Sequence, residues 1–244
     1  MLKVFVKHAS PTPTIPQLLL IFTHNPNLQK LSLNALATPN DNNGNDDGSC
    51  QVPLIHLKEL ELDGDVGQVF RLLRRLEHPK KMDKLSLRLL GCAVADASQT
   101  IGPYLQDHLV HRGRSRNGLG IFLSSDEYIV FHVGDAGRSH PSTSESERMV
   151  PFTTITLVPG RALPGGALEG LTLDLIAHTP REEIIYFRTC GSLEVARDLR
   201  IQMPNLKALD LVRVPLSAVF PTMDQDISYT QEKFPPSLQH LFLE

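Results

Sequence analysis

One short leucine motif, repeated along the chain, constrains the fold more than any other feature. The motif reads apolar-x-x-apolar-x-apolar, and its last three positions alternate as in a short strand with one buried face. A weaker copy begins at Phe152. The six clear copies begin at Leu28, Leu57, Met82, Leu168, Leu206 and Leu238. A chain that repeats one strand in this way must stack its copies to bury the leucines.

Helical patterns lie between the motif copies. In the second of them the apolar residues recur three and four positions apart, which is typical of a helix with one buried face. The four patterns cover Ile15–His24, Val66–Glu77, Ala97–Arg112 and Leu193–Met203. Alternation of strands and helices favours an α/β fold with a parallel sheet.

The centre of the chain has a different pattern. Residues Leu119–Thr189 contain several strand patterns, and the first two read as a hairpin with Ser124–Glu127 at its tip. Successive motif copies are 29 residues apart from Leu28 to Leu57 and 25 from Leu57 to Met82. These intervals lie at the long end of the ~20–29 residues of leucine-rich repeats. We therefore predict one irregular leucine-rich-repeat-like solenoid domain over residues 1–244, with a parallel sheet and a β-rich central segment.

Two segments contain too few apolar residues to order themselves by burial. They are residues 38–51, rich in Asn, Asp and Gly, and residues 137–148, rich in Ser and Glu. We expect both to be mobile loops. In the second loop, Ser142 and Ser144 each precede a glutamate by three positions, a pattern that acidophilic kinases accept.

Composition excludes several classes of protein. The net charge of −3 argues against a nucleic-acid surface, which needs concentrated basic charge. No apolar run reaches the ~20 residues that span a bilayer, and the first residues lack the pattern of a secretory signal. The three cysteines, Cys50, Cys92 and Cys190, are far apart and odd in number. They indicate a reducing compartment, so we expect a cytoplasmic or nuclear protein with neither nucleic acid nor membrane as a partner.

The chain contains no strong motif for catalysis, a metal or a cofactor, and we predict no residues with these roles. Neither a Gly-x-Ser-x-Gly elbow nor a phosphate-binding Gly-rich loop is present. His108 and His111 have helical spacing but no third ligand. Asn43–Gly48 resembles the start of a calcium loop, but Leu54 stands where a glutamate is required.

Basic residues form two clusters, and the first has both a functional and a structural interpretation. Residues 111–116 could hold a phosphorylated partner through arginine forks, or they could be a solvated turn. The other cluster is read as a solvated helix face followed by a turn. It comprises Arg71, Arg74, Arg75, Lys80, Lys81 and Lys84.

Three segments carry a resemblance to a known family. Pro53–Leu62, Pro204–Leu211 and Pro236–Glu244 resemble the degenerate leucine-rich repeats of fungal (basidiomycete) F-box proteins. The resemblance covers most of Ile15–Glu244 and implies a solenoid that receives substrates for an SCF-type ubiquitin ligase. In that family an N-terminal F-box binds a Skp-type adaptor. The 14 residues before Ile15 are too few for an F-box, so we expect adaptor binding only from a longer form.

The residues that alternate with the inward leucines form the candidate binding surface. They point to the opposite, concave side of the predicted sheet. Neighbouring copies alternate in charge, as in Lys30, Glu59 and Lys84, and such pairs also favour the strand register by ~0.2–1 kcal/mol each. The predicted protein-binding residues are Lys30, Ser32, Asn34, Glu59, Glu61, Asp63, Lys84, Ser86, Arg88, Thr172, Asp174, Asp210, His240 and Phe242.

Together these patterns predict a non-catalytic protein-recognition module that binds a protein partner or substrate. The resemblance implies the substrate-receptor region of an F-box protein. One alternative is a leucine-rich-repeat-like scaffold, or a decayed paralogue, with no role in ubiquitin ligation. Another is a small hydrolase on an α/β sheet, for which a Ser or Cys within reach of a His is required.

Overall fold

The computed structural model describes residues 2–6, 13–36, 51–77, 82–92, 94–112, 118–125, 129–136, 149–159, 174–190, 203–213 and 234–243. In these residues the chain is an α/β protein with a mostly parallel, many-stranded sheet and few helices. Several predicted features fall outside them. These are most of the two predicted loops, Ser142, Ser144, the motif copy at Leu168 with Thr172, and the helix pattern Leu193–Met203 except its last residue.

The order of elements follows the predicted alternation. The helices are α1 (Ile15–Thr23), α2 (Val66–Arg75) and α3 (Val94–Arg112), and Arg181–Glu183 form a 3₁₀ turn. The strands are β1 (Leu2–Val6), β2 (Leu28–Leu36), β3 (Val52–Pro53), β4 (Glu59–Asp65), β5 (Leu76–Glu77), β6 (Lys84–Cys92), β7 (Leu119–Ser125), β8 (Ile129–Ala136), β9 (Met149–Pro159), β10 (Ile184–Cys190), β11 (Ala208–Val212) and β12 (His240–Leu243).

The chain divides into two compact units. The first comprises Met1–Ala93 with Ile155–Arg161, and the second comprises Val94–Thr154 with Ala162–Glu244. That the two units form a single solenoid domain stays a prediction.

Parallel strands in the order β1, β2, β4, β6 form the sheet of the first unit. The register pairs Leu31 with Leu60 and Leu60 with Leu85, so the central leucines of three motif copies form one cross-strand row. All three are fully buried. The predicted stacking of these copies is confirmed, and β1 adds a strand that the sequence analysis did not predict.

Local sequence sets the ends of the two helices in this unit. Thr14 and Gln17 cap the start of α1 reciprocally, and Leu18 and Phe22 are its buried residues. Asp65 ends β4 and also caps α2, since its carboxylate accepts hydrogen bonds from the N–H groups of Gly67 and Gln68. Helix α2 ends at Arg75, two residues earlier than predicted, because Leu76–Glu77 pair as β5 with β3.

A close approach of two strands requires a glycine in β4. A Cβ atom added to Gly64 would lie 2.5 Å from the carbonyl oxygen of Leu36 and 2.6 Å from its Cβ. Because the oxygen belongs to the backbone of β2, it cannot move aside as a flexible side chain would. Any larger residue therefore forces β2 and β4 apart.

In the second unit the strand order is β8, β7, β10, β11, β12. Strands β7 and β8 form the predicted antiparallel hairpin, while β7, β10, β11 and β12 are parallel. Phe187, Leu209 and Leu241 form one cross-strand row, in which the first two are fully buried and Leu241 is 37% exposed. The repeat pattern predicted that Leu241 is completely buried, and this prediction is wrong.

Strand β10 occupies the place beside β11 that the repeat pattern gave to the copy at Leu168. One strand pattern of the central segment, Leu171–Ile176, predicted a strand that is wrong at its end, because residues 174–177 form a helical turn. The N–H of His178 donates to the carbonyl of Asp174 at 3.2 Å, which closes this turn. Asp174 consequently lies in a turn and not on the face of a strand.

Four of the motif copies share the turn that precedes their strand. The N–H of the first motif residue donates to the carbonyl three residues earlier, at 3.0–3.1 Å. This bond joins Leu28 to Asn25, Leu57 to Leu54, Leu206 to Met203 and Leu238 to Pro235. Four copies, two in each unit, thus begin with the same local geometry.

The turns also stack on one another through the second motif residue. Lys58 N–H donates to Gln29 carbonyl oxygen, and Asp83 N–H donates to Lys58 carbonyl oxygen, both at 2.8 Å. In the second unit, Gln239 N–H donates to Lys207 carbonyl oxygen at 2.8 Å. Hydrogen bonding between copies therefore extends beyond the strands and into the turns before them, which satisfies backbone groups that a bare loop would leave open.

Candidate protein-recognition surface

The first unit carries nine of the predicted binding residues on one face of its sheet. We call them the polar strip, and they alternate along β2, β4 and β6 with the buried leucines. In register, Lys30 lies opposite Glu59, and Asp63 lies opposite Arg88. The polar strip comprises Lys30, Ser32, Asn34, Glu59, Glu61, Asp63, Lys84, Ser86 and Arg88.

Ion pairs cross the polar strip from strand to strand. Lys30 Nζ lies 2.6 Å from Glu59 Oε2 and 3.8 Å from Glu61 Oε1. Lys84 Nζ pairs diagonally with Glu61 Oε1 at 2.8 Å, although its register partner is Glu59. The predicted alternation of charge is present, but Lys84 takes a different partner from the one that the alternation indicated.

These contacts shift two pKa values. The hydrogen bond to Glu59 raises the pKa of Lys30 above its usual value, because it stabilises the ammonium form. The hydrogen bond from Lys84 lowers the pKa of Glu61, and the charge of Lys30 and a hydrogen bond from Ser32 act in the same direction. Glu61 therefore stays ionised at neutral pH and holds the centre of the strip together.

In the second unit the predicted binding residues differ in their accessibility. His240 and Phe242 are half-buried on β12, with ring centroids 6.2 Å apart. Asp210 on β11 is fully buried, and the Tyr186 hydroxyl donates to its Oδ2 at 3.1 Å. Arg188 Nη1 lies 3.6 Å from the same oxygen. Asp210 thus organises neighbouring side chains and is not itself open to a partner.

Three side chains that were not predicted as binding residues, Arg188, Phe122 and His132, continue the cross-strand row that contains Asp210. The Arg188 guanidinium lies over the Phe122 ring, 5.4 Å from its centroid. His132 stacks on Phe122 at a centroid distance of 5.4 Å and an interplanar angle of 11°. Alternation along β10 could have indicated Tyr186 and Arg188, but only the pairing of β10 with β7 brings Arg188 to Phe122.

A hydroxyl–imidazole contact bears on the hydrolase alternative. His132 Nδ1 lies 2.9 Å from Thr154 Oγ1, and burial lowers the pKa of His132. This alternative required a Ser or Cys beside the histidine, and the contact here is with a threonine. The two contacts of His132, with the Phe122 ring and with Thr154, are those of a side chain packed between neighbouring strands.

Other predicted sites fall in different places. His108 is buried in α3, and no group of three or more His, Cys, Asp or Glu side chains able to hold a metal occurs among the residues that the structure describes. Arg71, Arg74 and Arg75 lie on α2, whereas Lys84 lies on β6. Lys80, Lys81, residues 113–116 and the calcium-like stretch Asn43–Gly48 lie outside the described ranges. None of the described helices is long and apolar enough to cross a membrane.

Comparison of the chain with protein-family models, with curated proteins and with solved structures found no match. The chemistry of the surface itself is therefore the basis for a functional assignment.

Proposed function

We propose that the chain is a non-catalytic protein-recognition module, built as a leucine-rich-repeat-like solenoid, whose polar sheet face binds a protein partner. One observation supports this most strongly. Motif copies share a turn, a register and a ladder of backbone hydrogen bonds, while the residues between their leucines vary in charge and size. A constant scaffold with a variable face is how repeat proteins present a binding surface.

The polar strip is the part of this face that suits a protein partner. It has equal numbers of acidic and basic groups, three of each, held in fixed places by ion pairs. A surface of this kind selects a partner by the pattern of its charges and not by net charge. Among the three function classes, recognition uses these features directly, whereas a hydrolase does not.

By the resemblance of its repeats, the partner is a substrate delivered to an SCF-type ubiquitin ligase. This part of the proposal requires an F-box. A scaffold without any ligase role is the competing proposal, and it predicts the same binding face without adaptor binding.

Photo-crosslinking tests recognition by the polar face. A photoreactive residue replaces Ser86 in the polar strip, and the control carries it at the exposed Gln51, outside the strip. We expect a discrete adduct from position 86 and none from position 51 in extracts of the source organism. Equal labelling from both positions, or none from either, would refute recognition by this face.

Co-purification tests the ligase role separately. The full natural reading frame and residues 1–244 are each purified with a Skp-type adaptor. We expect a stable complex with a form that carries an F-box and none with a form that lacks one. If no form of the protein binds the adaptor, the ligase role is wrong and the scaffold proposal replaces it.

A further inference from the structure

Exposure is unequal among the charged groups of the polar strip. The side chains of Glu59, Glu61 and Asp63 on β4 are 26–33% exposed, while on β6 Lys84 is 49% and Arg88 is 58% exposed. The acids are therefore recessed between strands, and two cations stand highest. A partner approaching the strip meets positive charge first, although the strip as a whole is neutral.

The contact that holds Arg88 leaves most of its guanidinium unused. Within the described part of the chain, the polar contact of the Arg88 guanidinium is from Nη1 to Asp63 Oδ2 at 3.3 Å. An arginine that binds a carboxylate fully does so with two parallel hydrogen bonds. Arg88 is thus held through Nη1, and the other N–H donors of its guanidinium can bind a second carboxylate.

Lys84 can also turn toward a partner at low cost to the strip. Its only described partner is Glu61, and Lys30 Nζ also lies 3.8 Å from the same Glu61 oxygen. If Lys84 leaves, Glu61 keeps the positive charge of Lys30 as a compensating group. The central acid of the strip therefore does not become an isolated half-buried charge.

We infer that the polar strip binds an acidic segment of its protein partner, with one carboxylate on Lys84 and another on Arg88. This inference rests on the proposed recognition function and specifies the chemistry of the partner. The two cations are four residues apart on one strand, a separation of about 13 Å along β6. An extended partner with acidic residues four positions apart has the same spacing and places both side chains on one face.

Peptide titrations monitored by NMR on isotope-labelled protein test the inference. Three extended Gly/Ser-rich peptides are compared: one with glutamates four positions apart, one with adjacent glutamates, and one with lysines four positions apart. We expect the first to bind most tightly, to shift the amide signals of residues 84–88, and to bind more weakly as salt rises.

Charge reversal supplies the matched variants. Lys84→Glu combined with Arg88→Glu should weaken binding of the first peptide about ten-fold, the loss expected for two exposed ion pairs replaced by repulsion. Arg74→Glu, on the exposed side of α2, should leave binding unchanged. Circular dichroism of each variant checks that it is folded, and single reversals replace the double variant if it is not.

The outcomes separate this inference from the recognition proposal. Equal binding of the adjacent-glutamate peptide, or preferred binding of the lysine peptide, overturns the two-point acidic contact while recognition by the strip stands. Absence of binding by all three peptides also overturns it. Recognition itself is decided by the crosslinks from position 86 and does not depend on these peptides.

Discussion

Replacing Leu60 by alanine tests whether the leucine row is the core of the first unit. Leu60 is fully buried and lies between Leu31 and Leu85, its register partners on either side. Truncation removes contacts with both neighbours and leaves a cavity, because strands held by hydrogen bonds on two edges cannot collapse to fill it. We expect a loss of about 3 kcal/mol in the free energy of unfolding, within the range for buried leucines.

The same substitution at Leu20 is the matched control. Leu20 is 61% exposed on α1 in the same unit, so truncation removes little buried area. Alanine is also the better helix former, which offsets part of the loss. We expect Leu20→Ala to cost less than about 1 kcal/mol.

Urea unfolding followed by circular dichroism measures both variants. For a slope of about 1.5 kcal/mol/M, the Leu60→Ala midpoint should fall by about 2 M. Hydrogen exchange of peptides from β4 assigns the loss to the first unit. Equal midpoints for the two variants would refute the reasoning, since burial in a stacked leucine row would then contribute nothing.

Three further predictions concern single contacts. Gly64→Ala should destabilise the first unit by about 2 kcal/mol, because its Cβ meets the Leu36 backbone, and unchanged urea stability would contradict this. Glu61→Gln should reduce the loss of stability as pH falls through and below its usual pKa of 4.5, because the lowered pKa of Glu61 stabilises the fold only while the group is ionised. An unchanged acid-unfolding curve would oppose that account. His132→Phe should narrow the difference in melting temperature between about pH 5.5 and 7.5, because burial lowers the pKa of His132 and protonation below its usual 6.5 favours unfolding. A difference equal to that of the parent protein would show that His132 is not its source.

Much of the first unit follows from local sequence. The alternation in Leu31–Leu33 and Leu60–Leu62 indicates which side chains are buried, and the helical patterns that begin at Ile15 and Val66 predicted the observed starts of α1 and α2. The polar strip was predicted for the same reason, because period two assigns each residue of a strand to one face. Strand β1 was not predicted because its five residues are too few for their alternation to be distinguished from a short apolar stretch.

The second unit shows where such prediction ends. Asp210 follows the same alternation as Glu61, yet it is fully buried under contacts with Tyr186 and Arg188. These contacts come from β10, whose sequence lacks the leucine motif and so gave no sign that it lies beside β11. The contact of Arg188 with Phe122 likewise depends on the pairing of β10 with β7. The two residues are 66 positions apart in the chain, since 188 − 122 = 66.

The sequence by itself determined the two faces of β2, β4 and β6, the starts of α1 and α2, and the parallel stacking of the copies at Leu28, Leu57 and Met82, whereas α3 starts at Val94, three residues before the predicted Ala97. Only the tertiary structure decided which strands are neighbours in the second unit, which glutamate pairs with Lys84, and which polar side chains reach the surface. The physical reason is that periodicity along one strand fixes the direction of its side chains. The neighbour across the sheet is chosen by the packing of residues far apart in the chain.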